Sequence, residues 1–434
     1  MKRSNGFVTV LLMLSGLMLP ITGAAQIGKS FESERKIVTD PTTGNDLVFL
    51  TSQPHGDSKI YPTHPQWTSD GQWVVFRSKR VDGEAMAVNE RSGAIVQVTE
   101  GGYSGMLVLA RKSMRLFFLR SAQPAGSAEL VEVDLGKLFA DVAAAKVGAS
   151  QAYQHVRGKI PAEMNGGDLA LDADEKTVYF RVAAAVAKQH LAPDAVLKPA
   201  FGPRNMGAGP TGIGKMDLAT GETSVIAAVP FQVGHIQANP VVSGELVFCW
   251  ETGGKSPQRM WSIKADGSGL RALFPESELD WVTHEVIVSA DEVAFALLGH
   301  RSVGTSDGWG PSGTRVSPTG LAILNLRTNE VHIAGQTRSG SGLWHVHASP
   351  DGNWAVGDDF NRNLWLIDRN TSEMLLLSAG HKTTAQDHVH PTFSADSTRI
   401  EIQSAMLSED GRTMNLAVVA VPEPWLRRYR SKTK

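Results

Sequence analysis

Short runs in which hydrophobic residues alternate with polar ones, or follow one another directly, recur along the whole chain. Typical examples are Trp73-Val-Val-Phe76, Thr177-Val-Tyr-Phe180 and Leu364-Trp-Leu-Ile367, which are rich in β-branched and aromatic residues. Glycine, asparagine and aspartate stand between the runs and supply turn conformations. This pattern predicts short antiparallel β-strands along most of the chain.

One strand pattern repeats along the sequence. In the three most similar copies, a histidine stands six residues before an aspartate, as in His64 and Asp70, His345 and Asp351, and His390 and Asp396. With four weaker copies, the units begin at His64, Gly105, Asp168, Asn239, His284, His345 and His390. Four-stranded propeller blades take about 40 to 50 residues. The widest spacing is 71 residues (168 to 239), so the longer units are expected to contain loop insertions.

The repeat predicts an all-β fold, a seven-bladed β-propeller with four-stranded antiparallel blades, as a single domain over residues 27–434. The last unit has a third strand, Leu416-Ala-Val-Val-Ala420, but no fourth. The run Asp46-Leu-Val-Phe-Leu50 resembles a fourth strand and precedes the first unit. We expect this N-terminal strand to close the last blade, because closure removes exposed sheet edges. A short helix is expected in the alanine-rich stretch 138–160.

The N-terminal residues have the pattern of a secretory signal. Lys2 and Arg3 precede an apolar run from Phe7 to Pro20, and small residues follow at 23–25. The apolar run is short for a membrane span, so a signal peptide over residues 1–26 is favoured over a retained anchor. We therefore expect a periplasmic or secreted protein with no membrane span after cleavage.

Composition excludes several classes of protein. The net charge is −2 with 20% charged residues, which argues against a nucleic-acid-binding surface. Cys249 is the only cysteine, so no internal disulfide can form. No phosphate-binding loop, dinucleotide fingerprint, paired-cysteine zinc motif or Gly-x-Ser-x-Gly elbow is present in the sequence.

Several histidines share one position of the repeat. His64, His345 and His390 have the same spacing to the following aspartate, and His284 is one residue out of step. The first strand of each propeller blade lines the central channel, so these side chains are expected to converge there. Imidazoles of this kind bind divalent metals. The alternative is that each histidine only forms hydrogen bonds that hold a blade turn.

Two further histidines offer the same chemistry nearby. His347 and His388 lie two residues from His345 and His390, on the same side of an extended strand. Either could be the ligand instead. His345 and His390 are preferred because they keep the repeat register.

The fourth unit is unusual, with His235 ahead of the repeat position and a polar loop that ends at Arg259. A histidine near an arginine suits proton abstraction next to a carboxylate, since the imidazole takes the proton and the cation stabilises the developing charge. The alternative is an ordinary structured loop with Arg259 in a salt bridge.

Over most of its length the sequence resembles the oligogalacturonate lyase family, seven-bladed propellers that cleave pectin fragments by metal-assisted β-elimination. The segments that carry the resemblance are Tyr61-Pro-Thr-His64, Gly234-His235-Ile-Gln237, Phe248-Cys249, Arg259-Met-Trp261, His284-Glu285, His345 with Ser349-Pro-Asp-Gly352, Gly357-Asp358 and His390-Pro391.

The resemblance implies roles for individual residues. His284, His345 and His390 resemble the family's manganese-binding histidines, and His235 resembles its general base. Arg259 lies in a recurring family motif, and Arg204, in the polar loop Gly202-Pro-Arg-Asn205, is a further, secondary candidate for the arginine that binds the substrate carboxylate. The implied cofactor is a divalent metal, manganese, and the implied partner is an acidic oligosaccharide.

Two departures from the family pattern stand out. Gly342-Leu343-Trp344 stand where family members have a glutamine before the middle metal histidine. Family members that act on imported oligosaccharides are often cytoplasmic, whereas this sequence has the pattern of an export signal. The resemblance favours a polysaccharide lyase that acts on uronate-containing oligosaccharides. The alternatives are a non-catalytic envelope propeller that serves as a binding scaffold, and a lyase for another acidic polysaccharide.

Overall fold

The computed structural model describes residues 26–278, 280–298, 320–336 and 342–430. They form seven antiparallel sheets, five of four strands and two of five, so the predicted seven-bladed β-propeller is confirmed. The predicted signal peptide, except for its last residue, lies outside the described residues. Among the described residues, no helix is both long and apolar enough to cross a membrane.

The strands follow the chain blade by blade. Three strands come first: Ser30–Phe31 (β1), Lys36–Thr39 (β2) and Asp46–Phe49 (β3). The four consecutive strands of blade 1 are Ser58–Lys59 (β4), Trp73–Arg77 (β5), Ala85–Asn89 (β6) and Ile95–Gln97 (β7). Blade 2 comprises Ser104–Leu109 (β8), Arg115–Ser121 (β9), Ala128–Asp134 (β10) and Gln154–Ile160 (β11). Blade 3 comprises Ala170–Leu171 (β12), Thr177–Val182 (β13), Ala208–Asp217 (β14) and Thr223–Phe231 (β15).

The remaining four blades follow the same order. Blade 4 comprises Val233–Ala238 (β16), Glu245–Trp250 (β17), Met260–Lys264 (β18) and Arg271–Ala272 (β19). Blade 5 comprises Trp281–Ile287 (β20), Glu292–Leu298 (β21), Gly320–Asn325 (β22) and Val331–Gly335 (β23). Blade 6 comprises Leu343–Ala348 (β24), Trp354–Asp359 (β25), Leu364–Asp368 (β26) and Met374–Ser378 (β27). Blade 7 begins with Thr392–Phe393 (β28), Arg399–Ser404 (β29) and Asn415–Ala420 (β30).

Both five-stranded sheets use strands from the N-terminal segment. β3 pairs antiparallel with β30, with Val48 opposite Val418, and β2 lies outside β3. β1 pairs with β7 at the outer edge of blade 1. Blade 7 therefore contains strands from both ends of the chain.

Few helices interrupt the strands in the described part of the chain. The α-helices are Leu135–Ala143 (α1), Ala184–Ala187 (α2) and Glu423–Leu426 (α3), and the 3-10 helices are Ser150–Ala152 and Lys188–His190. Helix α1 overlaps the start of the alanine-rich stretch in which a helix was expected. Asp134 caps it by accepting a hydrogen bond from the Lys137 amide.

The hydrophobic core lies between the blades. Successive residues of a strand face opposite neighbours, so Phe118 packs between blades 1 and 2 while Phe117 packs between blades 2 and 3. Both faces of each sheet are buried in this way, which explains why many of the runs are almost continuously apolar. The inner strands β8, β12, β16, β20, β24 and β28 contact one another in that order and surround the central channel.

Candidate functional site

A segment of blade 1 projects into the central channel. Lys59 pairs with Phe76 and Trp67 pairs with Val74, so residues 60–66 leave the ladder between these two pairs. This crossing segment carries Tyr61 to the far side of the channel, where its hydroxyl lies 2.8 Å from Nδ1 of His284. The Tyr61 ring also lies 5.0 Å from that of His235 and 5.4 Å from that of His390, between ring centres. No role was predicted for Tyr61 from the sequence, and the local signal is the Tyr-Pro-Thr-His-Pro segment between two strands.

β-Bulges determine the direction in which the side chains of the channel histidines point. In β16, β20 and β24 the pairing with the next strand shifts, so that two residues oppose one. The extra residues include His235, His284 and His345. His235, His284 and His390 have φ between 48° and 54°, a left-handed conformation that is uncommon outside glycine. Bulges of this kind redirect side chains and occur often near active sites.

The bulges correct one detail of the repeat. His235 occupies in β16 the place that His284 occupies in β20, so the fourth unit begins at His235 and not at Asn239. The connection after β16 (239–244) is two residues longer than the connection after β20 (288–291), which accounts for two of the four residues between Asn239 and His235.

The three predicted metal histidines lie side by side. The ring centre of His345 is 4.0 Å from that of His284 and 3.8 Å from that of His390. Nε2 of His284 is buried and has no hydrogen-bond partner among the described residues. When Nδ1 carries the ring proton and donates it to the Tyr61 hydroxyl, the Nε2 lone pair is available to a ligand. Burial lowers the pKa of His345 to about 3, with His390 adding to the effect, and lowers that of His284 well below its usual range. Both rings are therefore neutral at pH 7, as metal ligands must be.

Asp358 binds two of the histidines. Its carboxylate accepts hydrogen bonds of 2.8 Å from the His345 backbone amide and from Nδ1 of His388, and Nδ1 of His345 lies 3.3 Å away. Burial favours the neutral acid, but His345 and His388 outweigh it and hold the pKa of Asp358 well below its ordinary value. Because an ionised carboxylate only accepts, the proton on His388 is at Nδ1, and Nε2 is left to bind a ligand.

The donor set fits a divalent metal. Potential ligand atoms of His345, Asp358 and His388 lie within 4.8 Å of one another. His388, considered in the sequence as an alternative ligand, thus joins the cluster, and Asp358 has the arrangement of a carboxylate that orients metal-bound histidines. We call His284, His345, His388 and His390 with Asp358 the histidine cluster.

A second cluster surrounds His235. Its Nδ1 lies 3.1 Å from Glu285 and 3.4 Å from Arg259, and its Nε2 lies 3.5 Å from Glu251. Burial opposes the charged imidazole, but the hydrogen bond and charge of Glu285 outweigh it and raise the pKa of His235. The side chain keeps 25% of its surface exposed, so a substrate in the channel can reach it.

Arg259 is an internal part of this second cluster. Its Nε lies 2.6 Å from Glu285, and its side chain is only 3% exposed. Burial raises the pKa of the Glu285 carboxyl, but the charge of Arg259 dominates and lowers it to about 2. His235, Cys249 and Glu251 also lie close enough together to hold a metal. The buried guanidinium beside them disfavours a cation there, so the histidine cluster is the better metal site.

Other predicted residues lie elsewhere. His64 is buried with both ring nitrogens engaged, Nδ1 by Thr63 and Nε2 by the Leu169 carbonyl, each at 2.8 Å. It has the hydrogen-bonding role that the sequence left open as an alternative. His347 follows the bulge in β24, and its ring lies 6.2 Å from that of Phe393. Arg204 is exposed and packs against Gly253, in the loop that follows Glu251.

Solved structures with this fold include two oligogalacturonate lyases. One, in complex with manganese, has a TM-score of 0.71 and 19% identity over 93% of this chain and 100% of its own. The other, from Vibrio parahaemolyticus, has a TM-score of 0.69 and 18% identity over 92% of this chain and 100% of its own. No protein-family model matches the chain, and no curated protein matches it. The resemblance to these lyases is thus confirmed at the level of the fold.

Proposed function

We propose that the protein is a polysaccharide lyase that cleaves uronate-containing oligosaccharides by β-elimination, assisted by a divalent metal, manganese. One observation carries the proposal: the histidine cluster lies in the same channel as His235, with Tyr61 in contact with members of both clusters. The fold shared with oligogalacturonate lyases, one of them in complex with manganese, supports it.

In the proposed reaction His235 is the general base. Glu285 accepts the hydrogen bond from Nδ1, which leaves Nε2 as the basic atom. Nε2 takes the proton from C5 of the uronate, the C5–H electron pair forms the C4=C5 double bond, and the C4–O4 bond breaks. The departing oxygen is protonated from solvent. Glu251, 3.5 Å from Nε2, stabilises the imidazolium that results.

The other groups bind and position. His284, His345, His388 and His390 would hold the metal, and Asp358 orients the His388 ring and holds the His345 backbone amide. A bound divalent cation acts as a Lewis acid on the substrate carboxylate and so acidifies the C5 proton. Arg259, buried against Glu285, holds the imidazole of His235 in position. The exposed Arg204 binds the substrate carboxylate.

The test is an ultraviolet assay. Purified protein with Mn²⁺ is incubated with a panel of uronate oligosaccharides, and elimination appears as absorbance of the unsaturated product. We expect His235→Ala and chelation each to abolish the signal, and His155→Ala, a change of an exposed histidine in blade 2, to preserve it.

Other results would favour the alternatives. Activity that survives chelation but not His235→Ala would indicate a lyase that works without metal. No absorbance change with any uronate would exclude the lyase and leave a binding scaffold. We further propose export to the periplasm or the medium, on the N-terminal sequence alone. Purified protein that still carries residues 1–26 would exclude cleavage of the predicted signal peptide.

A further inference from the structure

A tight turn beside the histidine cluster presents an arginine. Residues 360–363 connect β25 to β26, and the buried Asp359 carboxylate accepts hydrogen bonds from the backbone amides of Asn361 and Asn363, the Asn363 side chain and the Trp365 indole, at 2.8 to 3.1 Å. Arg362 adopts a left-handed conformation with φ of 66°. Asp359 thus fixes the turn, and among the described residues the Arg362 side chain makes no hydrogen bond that contributes to it.

The guanidinium of Arg362 has no anionic partner among the described residues. Its Nη1 atom is buried and makes no hydrogen bond. Asp358 and Asp387 are near enough for their charges to act on Arg362, but both already bind histidines. Asp358 binds His345 and His388, and Asp387 lies 3.2 Å from Nε2 of His390. A half-buried cation without a partner is costly unless a ligand completes it.

Aromatic side chains border the histidine cluster, and one of them, Phe360, belongs to the same turn as Arg362. The ring centres of Trp344 and Phe360 are 5.0 Å apart, and each lies 6.1 Å from that of His388. Trp344 also lies 4.5 Å from His284. Aromatic faces with a few placed polar groups are typical of small-molecule sites, and aromatic rings accept the apolar face of a sugar.

We infer that Arg362, with Trp344 and Phe360, forms a second subsite that binds the carboxylate of the uronate next to the one that reacts. An oligouronate carries one carboxylate on each sugar, and a guanidinium can bind a carboxylate through two parallel hydrogen bonds. The subsite rests on the proposed function for the identity of its ligand.

The experiment measures binding without turnover. In a His235→Ala background loaded with Mn²⁺, calorimetry compares the affinity for trigalacturonate and for galacturonate, with and without Arg362→Gln. Arg362→Gln should weaken trigalacturonate binding at least about tenfold and leave galacturonate binding unchanged. Arg362→Lys keeps the charge but cannot form two parallel hydrogen bonds with the carboxylate, so it should weaken trigalacturonate binding less than Arg362→Gln does.

Arg412→Gln is the matched control. Arg412 is exposed in the corresponding connection of blade 7, between β29 and β30, and should change neither affinity more than twofold. Metal content and thermal unfolding of each variant check that the site is intact. If Arg362→Gln does not fold, Arg362→Lys carries the comparison.

The outcomes separate the two proposals. Equal trigalacturonate affinity with and without Arg362 overturns the subsite, while ultraviolet activity of the unmodified protein would still support the lyase. Arg362-dependent binding by a protein that cleaves no uronate supports uronate binding at Arg362 and overturns the lyase. Failure to bind either ligand overturns the subsite, and absence of cleavage as well overturns both.

Discussion

The hydroxyl of Tyr61 lies 2.8 Å from Nδ1 of His284, although 223 residues separate them in the chain. Burial raises the pKa of Tyr61 well above its usual range, so the phenol stays neutral. The hydrogen bond occupies one ring nitrogen of His284 and leaves Nε2 buried without a partner. Blade 1 therefore orients a histidine of blade 5 by reaching across the channel.

Tyr61→Phe should weaken metal binding. The ring remains to fill its space, but His284 loses the partner that fixes its orientation. Loss of such a partner typically reduces metal affinity about 10- to 100-fold. Mn²⁺ titration by electron paramagnetic resonance measures the change, and Tyr103→Phe in blade 2 is the control. Unchanged Mn²⁺ affinity in Tyr61→Phe would show that the hydrogen bond does not support the site.

Asp358→Asn should weaken metal binding as well, because Asp358 binds His345 and His388. The asparagine amide cannot accept from both the His345 backbone and Nδ1 of His388 as the ionised carboxylate does. We expect a loss of metal affinity of about 10- to 100-fold, measured by metal analysis after dialysis. Asp351→Asn, in the turn between β24 and β25, should retain full metal content. Full metal content in Asp358→Asn would contradict the assigned role.

The fold could be predicted because every blade repeats the same strand pattern and turn chemistry. The convergence of His284, His345 and His390 could be predicted for the same reason, since equivalent or adjacent positions of the repeat meet at the axis of the ring. The repeat position of His235 could not, because the connection 239–244 is longer than its counterpart in blade 5. The role of Tyr61 could not be predicted because residues 60–66 interrupt the repeat, and no local sequence pattern shows where in the channel the side chains of such a segment lie.

The acidic partners of the two histidine-containing sites also escaped prediction. Asp358 lies at the end of a second strand, and its contact with His388 crosses from blade 6 to blade 7. Glu285 and Arg259 belong to neighbouring blades and meet only when these blades pack. Contacts of this kind depend on the relative position of two sheets, which hydrophobic alternation within one strand does not encode.

Glu251→Gln should shift the pH dependence of activity. Burial opposes protonation of His235, whereas Glu285 and Glu251 favour it, and the net effect raises the pKa of His235. The base is active when neutral, so the rate rises as pH passes upward through this pKa. Removing the Glu251 charge lowers the pKa, and the acid limb of kcat/KM should move to lower pH. The exposed Glu278→Gln is the control. An acid limb that stays in place, or moves to higher pH, would contradict His235 as the base.

A buried ion pair joins the first and last blades. Nζ of Lys59 in β4 lies 3.7 Å from Glu401 in β29, and both side chains are fully buried. Lys59 also donates to the Thr392 hydroxyl at 2.5 Å. Burial lowers the pKa of Lys59 to about 8 and raises that of Glu401 to about 7, so each charge is tolerated mainly because of the other.

Removing one member of this pair should therefore destabilise the fold more than removing both. Lys59→Met or Glu401→Gln alone leaves a buried group without its partner, and we expect each to lower the free energy of unfolding by about 3 kcal/mol. The double variant should be less destabilised than the sum of the two, as a double-mutant cycle in urea would show. The exposed pair Arg427 and Glu423, treated in the same way, should show no measurable coupling. Strict additivity at Lys59 and Glu401 would mean that the contact between blades 1 and 7 depends on their apolar packing alone.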